Sequence, residues 1–301
     1  MFISAELPEE EDGDYTFVNS YSCLVDHLKK DLQIELNMPI DNVQYPTAEN
    51  AGKKDGSELI VLTAKNGTKY RAKTVVVTAS PHVVQTKLIT FTPELPKEVQ
   101  DAFHCVKMHN VTKVFLKFKR PVWPKNLHGM IMVDDDFLLP EVWFREVSSE
   151  VALGEEATAY AVGFTTAKYA ERLTHMSQEE VFKKSLQQLE KIFSMLEPRH
   201  MNGDLKAKDI ETVESLPKAS EAFLGGMYWD WRPQHHPYIG GGYCSPLVGK
   251  PINYGDILSK PCGPKMFFAG ESTNSRPCAT AHAALETGLR AADQVAAVLK
   301  K

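Results

Sequence analysis

The stretch 266-MFFAGEST-273, followed at 280 by TAHAALETGLRAADQVAAVL, decides how this chain is read. Met266 to Ala269 is a short apolar run of the kind found in strands buried within an α/β sheet. Gly270 lets a ligand approach the backbone closely, and Glu271 offers a carboxylate to the hydroxyls of a ribose-like chain, as acids do in dinucleotide folds. The second piece has helical spacing and is expected to begin near Ala279–Thr280. Its first N–H groups lack intrahelical partners and carry partial positive charge, which suits a phosphate or the anionic edge of a cofactor ring. Taken by itself, the same segment also describes an ordinary strand-loop-helix corner with an exposed glutamate.

The rest of the composition narrows the class. The chain has 301 residues, 43% hydrophobic and 24% charged, enough for one large domain or two ordinary ones. A net charge of −5 argues against a general nucleic-acid binder, and no nucleic-acid contact is expected. The five cysteines, Cys23, Cys105, Cys244, Cys262 and Cys278, form no C-x-x-C pair, which suggests reduced thiols and a cytoplasmic setting. No apolar run reaches the length of a spanning helix, and the N-terminus does not read as a secretory signal. No zinc spacing occurs, so no metal is expected, and His235-His236 reads as a loop pair.

Outward from the opening stretch, the pattern alternates strands and helices. Glu9 to Asp14 is an acidic lead-in, and 1–14 is set apart on that ground. Asn19 or Ser20 is expected to cap a helix carrying Leu24, Val25, Leu28 and Leu32. ELIVLTA (58–64), Asn66-Gly67 and KYRAKTVVVTA (69–79) spell a hairpin, and the Val75–Val77 run is expected to be buried on both faces. Pro96 to Phe103 reads as a short helix. VTKVFLKFKR (111–120) alternates Val114, Leu116 and Phe118 against Lys113, Lys117 and Lys119, the latter on a wet face. Val142 to Glu146 and Ala157 to Phe164 are further strands, and Ser177 to Leu196 is an amphipathic helix with Val181, Leu189, Ile192, Phe193 and Leu196 inward. KAKDIETVES (206–215) is strand-like. No internal repeat or low-complexity tract is found.

Five of these segments, in order, resemble the C-terminal part of the flavin-containing amine oxidase family, which spans polyamine oxidases, monoamine oxidases and lysine-specific histone demethylases. They are NSYSCLVDHLKKDL (19–32), TVVVTASPHVVQ (74–85), VTKVFLKFKRPVWP (111–124), YWDWRPQHHPYIGGGYCSP (228–246) and FFAGESTNSRPCATAHAALETGLRAA (267–292). The resemblance implies FAD as cofactor. It also implies an α/β fold, a partial two-domain FAD-linked oxidoreductase: segments 15–94 and 236–301 belong to an FAD-binding domain and flank an α+β substrate domain at 95–235. Glu271 then matches the acid that holds ribityl or ribose hydroxyls, and Gly270, Ser272 and Thr273 surround the pyrophosphate. Ala281 and His282 stand where helix N–H groups meet the flavin edge, His282 itself being a packing residue. Trp231 matches the tryptophan that packs on the ring, with Trp229 the neighbouring core residue. Lys113 matches the lysine that holds a water at flavin N5, and Tyr243 one wall of an aromatic cage for the amine. Thr280 stands where many family oxidases carry the second wall. That leaves half a cage, as in the demethylase branch, and points to bulkier amines.

The family opens with a strand, a G-x-G-x-x-G turn and a helix, and no G-x-G-x-x-G occurs here; glycines 240–242 lie in an aromatic loop. The chain is therefore expected to be N-terminally truncated and to lack, or to borrow from a missing half, the unit that cradles ADP. The implied activity is oxidation of a small-molecule, polyamine-like amine by O2 to an imine or aldehyde and hydrogen peroxide. Two alternatives stay open: a non-enzymatic remnant, and an FAD oxidase of the protoporphyrinogen or phytoene type, against which Lys113 and Trp123-Pro124 weigh.

Overall fold

A computed structural model of the chain describes residues 21–47, 59–125, 127–133, 135–146, 159–195, 216–274, 276 and 279–300. The acidic lead-in, the Asn19 and Ser20 caps, the start of the 157–164 strand, Leu196 and the 206–215 stretch lie outside these residues. Thirteen strands are described: β1 (Ile40–Gln44), β2 (Ile60–Ala64), β3 (Lys69–Ala72), β4 (Val75–Val77), β5 (Thr90–Thr92), β6 (Val106–Met108), β7 (Val111–Phe118), β8 (Gly129–Ile131), β9 (Glu141–Glu146), β10 (Ala159–Thr166), β11 (Phe223–Asp230), β12 (Cys244–Pro246) and β13 (Met266–Phe268). The helices are α1 (Ser22–Leu28), α2 (Pro81–Gln85), α3 (Lys97–Phe103), α4 (Ala167–Leu173), α5 (Gln178–Met195), α6 (Ala219–Ala222), α7 (Tyr254–Leu258) and α8 (Ala281–Leu299).

The chain divides into two compact units, one of Met1–Ile34 with Val111–Asp230, the other of Glu35–Asn110 with Trp231–Lys301. The first holds a five-stranded antiparallel sheet in the order β11-β7-β10-β9-β8. Its centre is the β7–β10 ladder, paired without a break from Val111↔Thr166 to Phe118↔Ala159. Period-two alternation places Val114, Leu116 and Phe118 in full burial on one face. Helix α5 covers that face. It starts with a capping box, in which Glu180 N–H donates to Ser177 Oγ (3.2 Å) and Ser177 N–H to the Glu180 carboxylate (2.9 Å). Val181, Leu189 and Ile192 then go down into the core, which an aromatic chain completes: Phe118, Trp123, Phe144 and Phe193 follow one another at centroid separations of 5.9, 4.7 and 6.0 Å.

The opposite face of β7 is not the wet surface that its lysines suggest. Lys113 and Lys117 are half-buried, each with its ammonium 5.8 Å from the ring centroid of its cross-strand partner, Phe164 and Tyr160 respectively. Lys119 lies beyond the strand end and is exposed. Trp229, expected in the core, is instead 39% exposed on β11. Helix α1 covers only Ser22–Leu28 and buries none of its residues; Val25, Leu28 and Leu32 are all more than half exposed.

The second unit is assembled from three small sheets, β3-β2-β1-β5, β12-β6 and the parallel pair β13-β4. The Asn66-Gly67 hairpin forms between β2 and β3, closed by Gly67 at φ 85° with its N–H on Ala64 O (2.8 Å). Their common core is built around Ile60, Phe103, Tyr254, Leu258 and Phe268, with the Phe103 and Phe268 rings edge to face at 5.2 Å. β4 departs from expectation: Val77 is buried but Val76 is 36% exposed. Alternation puts Val76 on the face opposite Val75 and Val77, and that face is the one left open.

Candidate cofactor site

Strand β13 ends at a glycine because the chain must turn sharply there. Ala269 N–H closes the parallel ladder on Val77 O (3.1 Å), and Gly270 follows at φ 131°, a region that favours glycine. A Cβ at Gly270 would meet no heavy atom within 4 Å, so the backbone borders open space. Glu271–Thr273 then form one 3-10 turn.

Helix α8 fastens this turn from behind. Thr287 Oγ1 accepts from Gly270 N–H (2.9 Å) and donates to Ala284 O (2.8 Å). Arg290 donates from Nη1 to Thr273 O (2.8 Å) and from Nη2 to Phe268 O (2.6 Å). Its Nε is buried without an acceptor among the described residues, and burial pulls the guanidinium below its usual range. The Thr273 hydroxyl donates to Gly270 O (2.9 Å) and lies 3.2 Å from Arg290 Nη2. What the sequence assigned to a ligand at Thr273 is thus committed to the protein.

The Glu271 carboxylate bridges to the first residue of β12. Cys244 N–H donates to one carboxylate oxygen (3.2 Å) and Cys244 S–H to the other (3.1 Å). Burial raises the Glu271 carboxyl above the usual range, and the two bonds from Cys244 partly offset it. Burial also pushes the Cys244 thiol well up, with the adjacent carboxylate adding to the effect. The proton therefore stays on sulfur and is donated. The nearby Tyr254 hydroxyl is pushed up to about 12, by burial first and then by Cys244 and Glu271.

Tyr243 precedes Cys244, and its position is set by His109. His109 N–H donates to Tyr243 O (2.9 Å), Gly242 N–H donates to His109 O (2.9 Å), and the two rings sit 5.9 Å apart at 37°. His109 Nε2 shares a 2.5 Å hydrogen bond with Ser245 Oγ. The glycines of the GGGY stretch are required by contact. A Cβ on Gly240 would lie 2.2 Å from the His82 ring, and one on Gly241 would lie 2.6 Å from His109 O.

At the head of α8, Thr280 is the N-cap, its Oγ1 accepting from Ala283 N–H (3.2 Å). Among the described residues no acceptor is found for the N–H groups of Ala281 and His282, nor for those of Glu271 and Ser272. His282 is exposed, not packed. Four free amides, a carboxylate with lone pairs to spare and open space at Gly270 fit the ring and hydroxyl-bearing part of a flavin nucleotide. No cluster of three or more His, Cys, Asp or Glu suited to a metal occurs among the described residues.

Of the residues singled out by sequence, Gly270, Glu271, Ser272, Thr273, Tyr243, Thr280, Ala281, His282 and the half-buried Trp231 fall in the second unit, and Lys113 in the first. The turn and the Tyr243 loop are joined directly, through Glu271 and Cys244. Sequence reasoning missed Cys244, His109, Thr287 and Arg290. For the last two a signal existed: two polar residues at i and i+3 on the inward side of an otherwise apolar helix.

The fold is that of FAD-linked oxidoreductases. More narrowly, the chain belongs to the flavin-containing amine oxidoreductase family, whose sequence profile matches residues 3–296, and its cofactor is FAD. It is 24% identical over 282 residues to Lysine-specific histone demethylase 1 homolog 3 of Arabidopsis thaliana, covering 93% of this chain and 16% of that protein. It is 25% identical over 304 residues to the Peroxisomal N(1)-acetyl-spermine/spermidine oxidase of Homo sapiens, covering 94% and 55%. Among solved structures it resembles putrescine oxidase bound to putrescine, with a TM-score of 0.64 at 17% identity, over 91% of this chain and 51% of that one. It also resembles the cyclohexylamine oxidase of Brevibacterium oxydans, with a TM-score of 0.62 at 17% identity, over 88% and 49%. At that identity the likeness shows the fold. The chain spans about half the length of the oxidases it matches, and a smaller share of the demethylase homologue. Among the described residues no helix is long and apolar enough to cross a membrane.

Proposed function

We propose that this chain supplies the flavin-ring and amine-binding part of an FAD-dependent amine oxidase acting on extended, polyamine-like amines, with O2 as the final acceptor and an imine and hydrogen peroxide as products. The observation that carries this reading is the direct link between the Glu271 turn and the Tyr243 loop, which joins a flavin-suited cradle to an aromatic wall within one unit. FAD, when bound, supplies the two-electron acceptor. The chain's own residues do the rest. The free amides of Glu271, Ser272, Ala281 and His282 hold the cofactor, and the Tyr243 ring face receives the amine. Thr280, a capping residue with a small side chain, leaves the opposite side open for a bulkier substrate. Lys113 is assigned a bound water and its proton, and Trp231 the packing of the ring.

Two of the names among its relatives, an acetyl-spermine/spermidine oxidase and a polyamine oxidase of Oryza sativa, support the substrate class. The lysine-specific histone demethylase homologues favour a second reading, a methyl-lysine side chain, which the same open side at Thr280 would admit.

The test is a peroxide assay at saturating FAD with spermine, N-acetylspermine, benzylamine and a methyl-lysine peptide, run beside an FAD titration followed by flavin fluorescence. Weak FAD binding is expected, because the 301 residues contain no G-x-G-x-x-G to cradle the pyrophosphate. Turnover is expected to be faster with the two polyamines than with benzylamine. Benzylamine as the best substrate overturns the polyamine reading, and the methyl-lysine peptide as the best substrate selects the second one.

A further inference from the structure

The resemblance hands Glu271 to the cofactor's hydroxyls, but in the structure both of its oxygens are already accepting hydrogen bonds from one residue, and that residue follows Tyr243. Among the described residues the loop on which Tyr243 sits has other ties as well, and Lys65 reaches the Tyr238 hydroxyl ahead of it (3.2 Å). Its backbone and its Ser245 hydroxyl are tied to His109, while Gly240 and Gly241 press against His82 and His109 with no room for a side chain. The His82 and His109 contacts come from the α2 and β6 side. Glu271 is the tie from the cofactor turn.

We propose that Glu271 is a positioning residue whose carboxylate, gripping Cys244 by N–H and S–H together, fixes the distance between the cofactor turn and the Tyr243 ring and so sets amine specificity. The assignment rests on the amine-oxidase reading for its purpose, but the grip itself is a property of this unit alone. A two-point grip differs from a single bond in restraining rotation as well as distance. The sulfur arm reaches one oxygen and the amide the other, so the carboxylate plane and the Tyr243–Cys244 peptide hold a fixed angle. Thr287 and Arg290 make the turn a firm anchor for that grip by holding Gly270, Phe268 and Thr273 from α8.

The experiment uses the full 301-residue chain and two readouts. The first needs no cofactor. Alkylation of Cys244, Cys105 and Cys262, all buried and free, is followed at pH 9 by mass mapping in the wild type and in Glu271→Gln. The thiolate is the reacting species, and a carboxylate beside it suppresses ionisation, so Cys244 labelling should rise by about five-fold or more with the other two cysteines unchanged. Unchanged Cys244 labelling overturns the grip. If all three rise together the fold has loosened, and Cys244→Ala, which removes only the sulfur arm, takes over.

The second readout is amine turnover at excess FAD. Cys244→Ala should raise KM by about three-fold or more while kcat stays within about two-fold, the pattern of lost substrate placement, and Glu271→Gln should raise KM at least as much. Selective labelling with unchanged KM overturns the positioning role. A wild type that oxidises no amine defeats the amine-oxidase reading by itself, and the grip is then judged on labelling alone.

Discussion

The two units reach order by different means. The first has one unbroken sheet, and the eight-residue β7–β10 ladder with α5 across it forms a core dominated by apolar contacts. The second has three small sheets, two of them only three residues deep, and side chains complete what the ladders do not. Gln85 donates to both Phe103 O and Val106 O (2.7 and 2.8 Å), while Thr287 and Arg290 hold the Glu271 turn and Glu271 holds Cys244. A sheet core tolerates distant change and punishes lost volume. A side-chain lattice tolerates lost volume and punishes a lost donor. Binding loops need the second kind of order, because their backbone must leave amides free for a ligand.

That contrast can be broken most severely in the first unit. Phe118→Ala, at a fully buried position touching both Trp123 and Phe223, should cost about 3–5 kcal/mol in chemical denaturation, the usual range for emptying an aromatic site. A loss below about 1 kcal/mol would mean that this core is loosely packed. In the second unit, Arg290→Met keeps most of the volume and removes the donors to Phe268 O and Thr273 O. The expected cost is about 1–3 kcal/mol, with weakened FAD binding in a fluorescence titration, since the turn loses its anchor. Destabilisation with FAD affinity untouched would show that the turn holds its shape unaided.

The smallest effect concerns pH. Burial raises the folded-state pKa of Glu271, so the folded protein binds this proton more tightly than the unfolded chain does. Its contribution is fully present below the unfolded value and is lost as pH rises through the raised folded value. Glu271→Gln has no such loss, so its melting temperature relative to wild type should climb as pH rises above the ordinary carboxylate value of about 4. A constant difference across that range would contradict the raised carboxyl.

The same contrast explains what could be read in advance. β7, α5 and the Asn66-Gly67 hairpin were legible because their signals are local: alternation, helical spacing and a turn dipeptide. The parallel β13 strand, its glycine and the helix start at Thr280 were legible for the same reason. The exposure of Val76 and Trp229 was not, because an apolar run reports what a strand prefers and not how many of its faces are covered. Cys244 and Glu271 stand 27 residues apart, and His109 and Ser245 stand 136 apart. Their pairing depends on where β6 and β12 meet, which no spacing in the chain encodes. Arg290 drew no reading from the sequence, and its donors to Phe268 O and Thr273 O appear only once the turn is folded against α8.

Strand β11 has a consequence for handling the protein. It closes one end of the five-stranded sheet, with a ladder partner on one side only among the described strands, and it carries Leu224, Met227 and Trp229 at 43%, 48% and 39% exposure. An open edge with apolar side chains is a template for another strand, and what blunts it here is the irregular register between Phe223 and Gly225, where Gly225 takes φ 148°. Association in concentrated stocks is therefore expected to begin at this rim and not in the core. A substitution that straightens residue 225 would hasten that association while leaving the melting curve of a dilute sample almost where it was.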